Sequence, residues 1–232
     1  MMLGRREFLA GGSAALTIGA LGKPIRSALG GRREDESIPS GPYDAQVEYL
    51  ESAGDSAELG PYILSQYNIV AGNIFEVLVE YPYGLSGGTR VLGRNAGNYE
   101  CFINFGGTGY FGGGSFNIGA YLQTNTLYEF VFNLTPQAMA LTINGTTIKT
   151  STSTQPNRYN FPLFIVASNA QNILNKNVPM RIYRFRAWSG GSLVEDFIPV
   201  RKDGIGYMYD LVSEQCIGNQ GADSFIIGPD KR

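Results

Sequence analysis

Residues 181–201 read Arg-Ile-Tyr-Arg-Phe-Arg-Ala-Trp-Ser-Gly-Gly-Ser-Leu-Val-Glu-Asp-Phe-Ile-Pro-Val-Arg, two strand-length runs on either side of Gly190-Gly191. Two consecutive glycines readily take the positive φ of a type I′ turn, so this stretch predicts a β-hairpin. A two-residue turn would place Arg186 opposite Glu195. That register predicts an outward face with this opposite-charge pair, and an apolar face formed by Tyr183, Phe185, Ala187 and Val194.

The chain before this hairpin is rich in short apolar runs separated by turn residues. The 31 glycines, 14 tyrosines and 13 phenylalanines of the whole chain favour strands and tight turns. Apolar residues alternate from Met139 to Ile143, Asn144-Gly145 is a strong type I′ signal, and Ile148 is expected to pair with Leu141 across that turn. No amphipathic helix of ten residues is indicated after the amino-terminal segment. The sequence therefore predicts an all-β fold of about a dozen strands, arranged as a two-sheet sandwich or a barrel.

Charge and histidine content exclude several kinds of function. The 18 basic and 20 acidic residues nearly balance, so a nucleic-acid footprint is not expected. The chain has no histidine, which removes the usual general base of catalytic triads and the commonest zinc ligand. Cys101 and Cys216 are the only cysteines. Each lies in an apolar strand pattern, so we expect buried free thiols rather than a disulfide.

The amino-terminal residues 1–28 are unlike the rest of the chain. Arg5-Arg6-Glu7-Phe8-Leu9, followed by small and apolar residues, resembles the twin-arginine export signal, although Gly4 and Ala10 depart from its pattern. The apolar run is short for a membrane span and predicts a helical export signal; an uncleaved anchor is the alternative. Residues 29–42 are charged and broken by prolines, which predicts a linker. We therefore expect one domain over 43–232, exported to the periplasm, cell surface or medium, with no membrane span in the mature chain.

Several stretches of this domain resemble a known family. They are Val47–Ser52 at its start, Leu92–Arg94 inside it, and Glu195–Arg201, Gly206–Asp210 and Gly218–Gly221 at its end. Together they resemble the opening, an internal step and the close of concanavalin A-like, laminin-G-like jelly-roll domains of bacterial surface and phage-associated proteins. The resemblance implies a sandwich of two antiparallel sheets that binds glycans or proteins and has no family-wide catalytic residues.

Two surfaces carry residues that suit a sugar. The first is a glycine-rich loop region with Arg94, Asn95, Asn98, Asn104, Tyr110 and Phe111. An aromatic ring there would contact sugar C–H groups while the amides bind hydroxyls. The alternative is that these aromatic rings fold back into the end of the sandwich. The second surface is the outward face of the hairpin, with Arg184, Arg186 and Trp188, which would meet an acidic glycan or form an internal ladder of cation–π contacts and salt bridges.

Three residues near the end of the chain are expected to be structural: Asp196, Arg201 and Asp210. The hairpin register places Asp196 on the apolar face, where a carboxylate needs Arg201, a backbone N–H pair or another cation as its partner. The alternative is a calcium site, the one cofactor considered, with ligands from Asp196, Asp210, Asn219 and Asp223.

These observations predict a non-enzymatic recognition domain that binds carbohydrate or a surface protein. A structural module of an envelope or a virion-like particle, which would associate with copies of itself, is the alternative. A glycoside hydrolase is a third hypothesis, because Glu76 and Glu80 share a face of one strand. However, Leu78 stands between them where glycosidases of this fold have an aspartate.

Overall fold

The structure is a computed structural model that describes residues 40–53, 60–68, 71–83, 90–94, 101–104, 108–111, 114–117, 122–152, 162–165, 167–170, 173–177 and 179–232. Within these ranges the fold is all-β and has no helix, as the alternation of apolar residues predicts. No described segment is a helix long and apolar enough to cross a bilayer.

The described residues form nineteen strands. In chain order these are β1 (Ala45–Gln46), β2 (Leu50–Ser52), β3 (Ile63–Asn68), β4 (Ile74–Glu80), β5 (Arg90–Arg94), β6 (Cys101–Asn104), β7 (Thr108–Phe111), β8 (Gly114–Asn117), β9 (Leu127–Asn133), β10 (Met139–Ile143), β11 (Thr146–Ser151), β12 (Pro162–Ile165), β13 (Ala167–Ala170), β14 (Ile173–Asn177), β15 (Met180–Ser189), β16 (Ser192–Lys202), β17 (Ile205–Asp210), β18 (Gln215–Ile217) and β19 (Ile226–Ile227).

One large antiparallel sheet contains eleven of these strands. Its main order is β11-β10-β9-β4-β15-β16-β17-β18, and β1, β2 and β19 attach beside it. A six-stranded sheet has the order β14-β13-β5-β6-β7-β8, and β3 pairs with β12 in a separate two-stranded sheet. The expectation of antiparallel pairing holds for the large sheet, whereas β5 and β13 of the six-stranded sheet run parallel.

The predicted carboxy-terminal hairpin is confirmed, and it organises the large sheet. Gly190 and Gly191 both have positive φ, 57° and 83°, at the turn between β15 and β16. The two strands pair with each other only near this turn, from Phe185 to Ser189 on β15. Farther from the turn they separate: the start of β15 pairs with β2, and the end of β16 pairs with β1. β1 and β2, the first strands of the domain, thus pair with the two hairpin strands where those strands no longer pair with each other.

The predicted register of this hairpin is wrong by one residue. The pairing shifts between Ala187 and Trp188, so Ala187 lies opposite Glu195 and Arg186 lies opposite Asp196. Val194 is the extra residue of a β-bulge. The geometry of a two-residue turn does not reveal a bulge, and the predicted register therefore missed it. Glu195 consequently belongs to the core side of the sheet and Asp196 to the outer side.

The second predicted hairpin also forms, with a bulge. Asn144 and Gly145 have φ of 49° and 74°, which fits the type I′ turn. Leu141 pairs with Lys149, rather than with Ile148 as expected, because the register shifts after Leu141. Ile148 nevertheless packs against the main core.

The main core lies on one side of the large sheet, here called the inner face. The large sheet contributes Phe75, Val77, Phe130, Phe132, Phe185 and Phe197, each at most 3% exposed. Ile63 of β3 and Phe111 of β7 belong to the same buried cluster, so all three sheets contribute to one core. Full burial of each such side chain stabilises the fold by roughly 1.5–3 kcal/mol.

A smaller apolar cluster covers part of the opposite, outer face. Ile198 and Val200 of β16 and Tyr209 of β17 are buried there. Tyr43, just before β1, packs edge-on against Tyr209 with ring centroids 5.0 Å apart. The outer face of β16 and β17 is therefore partly covered by the start of the domain.

Candidate functional site

The outer face of the large sheet carries a band of charged and aromatic side chains on its central strands. Side chains alternate between the two faces of a strand, so the residues between the core positions of β4 project outward. These are Glu76, Leu78 and Glu80, and the pairing of β4 places neighbours from β9 and β15 beside them. We call the whole set the arginine face: Tyr49, Glu51, Glu76, Leu78, Glu80, Glu129, Val131, Arg181, Tyr183, Arg184, Arg186, Trp188 and Asp196.

Two arginines of this face lie against carboxylates of neighbouring strands. Arg184 donates from Nε and Nη2 to the two carboxylate oxygens of Asp196, each at 2.8 Å. Arg186 donates from Nε and Nη2 to Oε1 of Glu76. The arginine side chains are 32% and 27% exposed, whereas the carboxylates beneath them are 9% and 5% exposed. The guanidinium groups therefore neutralise acids that would be costly to bury alone.

Arg181 joins two acids on opposite sides of β15. Its Nε donates to Glu51 at 2.7 Å, and its Nη1 donates to Glu80 at 3.2 Å. Burial alone would lower the pKa of Arg181, but the hydrogen bond and charge of Glu51, with the charge of Glu80, raise it above its ordinary value. This guanidinium is thus a permanent positive charge between two carboxylates.

Aromatic rings lie beside the guanidinium groups at both ends of the face. The guanidinium carbon of Arg181 is 4.6 Å from the ring centre of Tyr49, and that of Arg186 is 5.4 Å from the ring centre of Trp188. Both distances are within the range of cation–π attraction. The predicted ladder of salt bridges and cation–π contacts is therefore present.

Tyr183 also belongs to this face, which corrects its predicted place in the core. The pairing of β15 with β4 shifts between Ile182 and Arg184, and the Tyr183 hydroxyl donates to Glu80 Oε2 at 2.5 Å. Burial, followed by this hydrogen bond and the charge of Glu80, raises the pKa of Tyr183 well above its ordinary value. The hydroxyl therefore stays protonated and holds the carboxylate as a donor.

Glu129 adds a further carboxylate at the edge of the face. It is on β9, opposite Leu78 of β4, and it is half-buried. Burial and the negative charge of Glu76 raise the pKa of Glu129, against the opposing effect of Arg186. The arginine face as defined thus holds five carboxylates and three guanidinium groups.

The two glutamates considered for glycoside hydrolysis are held by basic and phenolic partners. Glu76 is bound by Arg186, and Glu80 by Arg181 and Tyr183. The geometry of both residues fits ion pairing.

The glycine-rich loop region has a different structure from the one predicted. Thr108–Phe111 and Gly114–Asn117 are paired strands, and Tyr110 pairs with Phe102 and Ser115. Phe111 is fully buried and its ring centre lies 6.4 Å from that of Phe132. This corrects its assignment as a ligand-binding residue and agrees with the alternative that the ring folds into the core.

The other residues predicted for that surface are only partly described. Arg94 pairs with Cys101 and Asn169 through its backbone, and Asn104 pairs with Arg90. Asn95 and Asn98 lie outside the described residues.

The three residues predicted to be structural have well-defined partners. Asp196 is neutralised by another cation, Arg184, as one of the expected alternatives, but it lies on the outer face and not on the predicted apolar face, and Arg201 is not its partner. Arg201 instead binds Asp230 at 3.0 Å. Asp210 accepts hydrogen bonds from the backbone N–H groups of Asp196, Val212 and Ser213 and from the Ser213 hydroxyl, so it fixes the turn between β17 and β18.

The residues considered for calcium have separate roles. Asp196 and Asp210 are engaged as described above. Asn219 accepts hydrogen bonds from the N–H groups of Tyr62 and Gly221 through Oδ1, and donates through Nδ2 to the Gly221 and Asp223 carbonyls. No group of three acidic, cysteine or histidine side chains placed to hold a metal occurs in the described ranges.

A cleft of ≈ 270 Å³ opens beside β17, and nothing in the sequence had indicated it. Tyr207, Phe225 and Ile227 line it, together with backbone of nearby glycines. Among its polar lining residues, Asn219 is already committed to three bonds within its own loop and to a fourth with the Tyr62 N–H. The arginine face offers many more polar groups beside aromatic rings and is the stronger candidate site.

Sequence reasoning identified only part of the arginine face. Arg184, Arg186 and Trp188 were predicted together, and they do share it. Tyr49 and Glu51 were not predicted there, because their position depends on strand pairing across about 130 residues of chain. Tyr183 was missed because the bulge beside it places its hydroxyl on this face. The glutamates of β4 follow from alternation, but their arginine partners could not be assigned without the sheet order.

Comparison with known proteins gives one solved structure with a similar fold. No protein-family model matches this chain, and no curated protein matches it significantly. The chain is similar to a crystal structure of a "putative carbohydrate binding protein" from Bacteroides ovatus, with a TM-score of 0.52 and 14% sequence identity. The likeness covers 81% of this chain and 61% of that chain. At this identity it shows a common all-β fold and nothing finer.

Proposed function

We propose that this chain is an exported, non-enzymatic recognition domain of the concanavalin A-like jelly-roll type, and that it binds carbohydrate through the arginine face. In this proposal, residues 1–28 are a twin-arginine-like export signal, 29–42 a linker and 43–232 the binding domain. The resemblance of the opening and closing stretches to that family supports the classification, as does the fold shared with the structure from Bacteroides ovatus.

One observation carries the binding site. Half-buried aromatic rings, Tyr49, Tyr183 and Trp188, lie on the same face as three hydrogen-bonded sets of arginine and carboxylate groups. Sugars present apolar C–H groups next to hydroxyls, so they are bound by aromatic surface beside polar groups held in fixed positions. Arginine has five N–H donors, and the bonds between Arg186 and Glu76 use only Nε and Nη2.

Trp188 makes a direct test possible, because it is the only tryptophan in the chain. Its fluorescence reports on the arginine face alone. We expect a saturable change in emission on titration with a bound glycan, and loss of that binding in Trp188→Leu measured by calorimetry. The matched control is Tyr83→Leu, since Tyr83 is 56% exposed and lies beyond the end of β4.

Two outcomes would contradict the proposal. The first is the absence of binding to every polysaccharide tested while the domain remains folded. The second is binding that Trp188→Leu leaves unchanged. A stable oligomer that buries the arginine face would instead favour the alternative of an assembly module.

A further inference from the structure

The two cation–π pairs of the arginine face lie at separate points along β15. Arg181 lies against Tyr49 and Arg186 against Trp188. The two arginines are five residues apart on this strand, but the bulge after Ile182 leaves them opposite Glu80 and Glu76 of β4. Those two residues are four apart, which corresponds to roughly 13 Å along an extended backbone. A single sugar ring is comparable in size to one aromatic side chain and cannot contact both pairs. A short linear chain of sugars can.

The surface between these two pairs also carries apolar side chains next to polar ones. Leu78 of β4 is half-buried and lies opposite Arg184 of β15. Tyr183 and Arg184 occupy the middle of β15, between the two aromatic pairs. A ligand that follows this strand would therefore meet alternating apolar and polar contacts over its whole length.

The charge of this face argues against an acidic ligand. All three arginines already bind carboxylates of the protein. Glu129 adds a half-buried carboxylate, so the five carboxylates outnumber the three guanidinium groups on this face. A polyanion would have to approach excess negative charge or displace internal salt bridges, and like charges brought together at an interface are costly.

Resting on the proposed function, we infer that the ligand is an uncharged linear oligosaccharide that lies along β15 between Tyr49 and Trp188. It stacks against both aromatic–guanidinium pairs, and the arginine–carboxylate network binds its hydroxyls.

The test is a binding series that varies length and charge independently. The full chain is titrated with neutral oligosaccharides of one to six units in several linkages, and with oligogalacturonides and sulfated oligosaccharides of the same lengths. For the neutral series we expect affinity to rise by about tenfold or more from a disaccharide to a tetrasaccharide, as the second pair is engaged, and then to level off. Binding should change little between low and physiological salt.

Single substitutions then locate the two ends of the site. Tyr49→Leu and Trp188→Leu each keep apolar bulk while removing one aromatic ring. Each should weaken tetrasaccharide binding by about tenfold and make affinity level off at a shorter length. Tyr83→Leu should change neither.

The possible failures are distinguishable. Tighter binding of an acidic series, or equal binding of a monosaccharide and a tetrasaccharide, overturns this inference and leaves carbohydrate binding standing. Failure of every glycan in all series to bind contradicts the proposed function itself.

Discussion

Glu195 on β16 and Ser65 on β3 form a buried hydrogen bond that joins the large sheet to the two-stranded sheet. The Ser65 hydroxyl donates to Glu195 Oε2 at 2.6 Å, and the backbone N–H of Gln66 donates to Oε1 at 2.7 Å. Glu195 is 2% exposed and Ser65 fully buried. The bulge in the last hairpin turns this glutamate toward the core, so a one-residue irregularity produces a connection between two sheets.

This buried acid predicts a pH dependence of stability. Burial, assisted by the charge of Asp210 and opposed by the Ser65 and Gln66 bonds, raises the pKa of Glu195 to about 7. The folded protein therefore holds this proton more tightly than the unfolded chain does, so the contribution of Glu195 to stability falls as pH rises from the ordinary glutamate range to about 7. At about 1.4 kcal/mol per tenfold change in proton affinity, the loss is on the order of 3 kcal/mol.

Urea unfolding of the wild type and Glu195→Gln between pH 4.5 and 8 measures this effect. The stability of the variant relative to wild type should increase over that range and become constant above about pH 7. A difference that does not change with pH would contradict the buried, proton-binding state of Glu195.

The salt bridge between Arg184 and Asp196 gives a second prediction. Arg184→Met leaves the carboxylate of Asp196 nearly buried without its guanidinium partner, which should cost about 1–3 kcal/mol in the free energy of unfolding. The double variant Arg184→Met, Asp196→Asn removes both charges and should recover much of that loss. Chemical denaturation of the single and double variants checks both statements, and equal stabilities of Arg184→Met and wild type would show that this pair is unimportant.

Asp210 gives a third prediction, which separates structural use from calcium binding. Its carboxylate accepts four hydrogen bonds around the turn between β17 and β18. Asp210→Ala leaves buried donors without an acceptor and should lower stability by about 2–4 kcal/mol, whether or not calcium is present. Thermal unfolding in EDTA and in millimolar calcium should give the same Tm for the wild type. A rise in Tm that requires calcium and is abolished by Asp210→Ala would favour a metal site.

A fourth prediction concerns the pairing of β1 and β2 with the two strands of the last hairpin. β2 pairs with β15 and β1 pairs with β16, and the Lys231 N–H donates to the Gln46 carbonyl. Removal of residues 43–52 would expose the edges of both hairpin strands and much of the core. We expect such a truncated chain to lose cooperative unfolding, whereas removal of residues 1–39 should preserve it. Circular dichroism during thermal unfolding distinguishes the two truncations.

The parts of the fold that could be predicted are those set by local sequence. The Gly190-Gly191 and Asn144-Gly145 turns follow from the positive φ that their residues permit. Strand β4 follows from its alternation of core and outward residues. The bulges at Val194 and Ile148 could not be predicted, because they depend on which side chain the opposing layer accepts.

The candidate site was predictable only where one strand carries it. Arg184, Arg186 and Trp188 are all on β15, so alternation places them together. Their partners Glu76 and Asp196 come from the two strands that flank β15, and pairing order is decided by packing of the whole sheet. The assignment of Phe111 to a binding surface failed for the same reason: its neighbours along the chain are glycines, but its neighbour in space is Phe132.

Nuclear magnetic resonance of the isotopically labelled full chain tests whether the arginine face binds a glycan. On titration with the best-binding neutral oligosaccharide, the Trp188 indole N–H and the backbone amides of β4 and β15 should shift together and saturate at one ligand per chain. Shifts confined to the cleft beside Tyr207, or no shifts at saturating ligand, would contradict glycan binding at the arginine face.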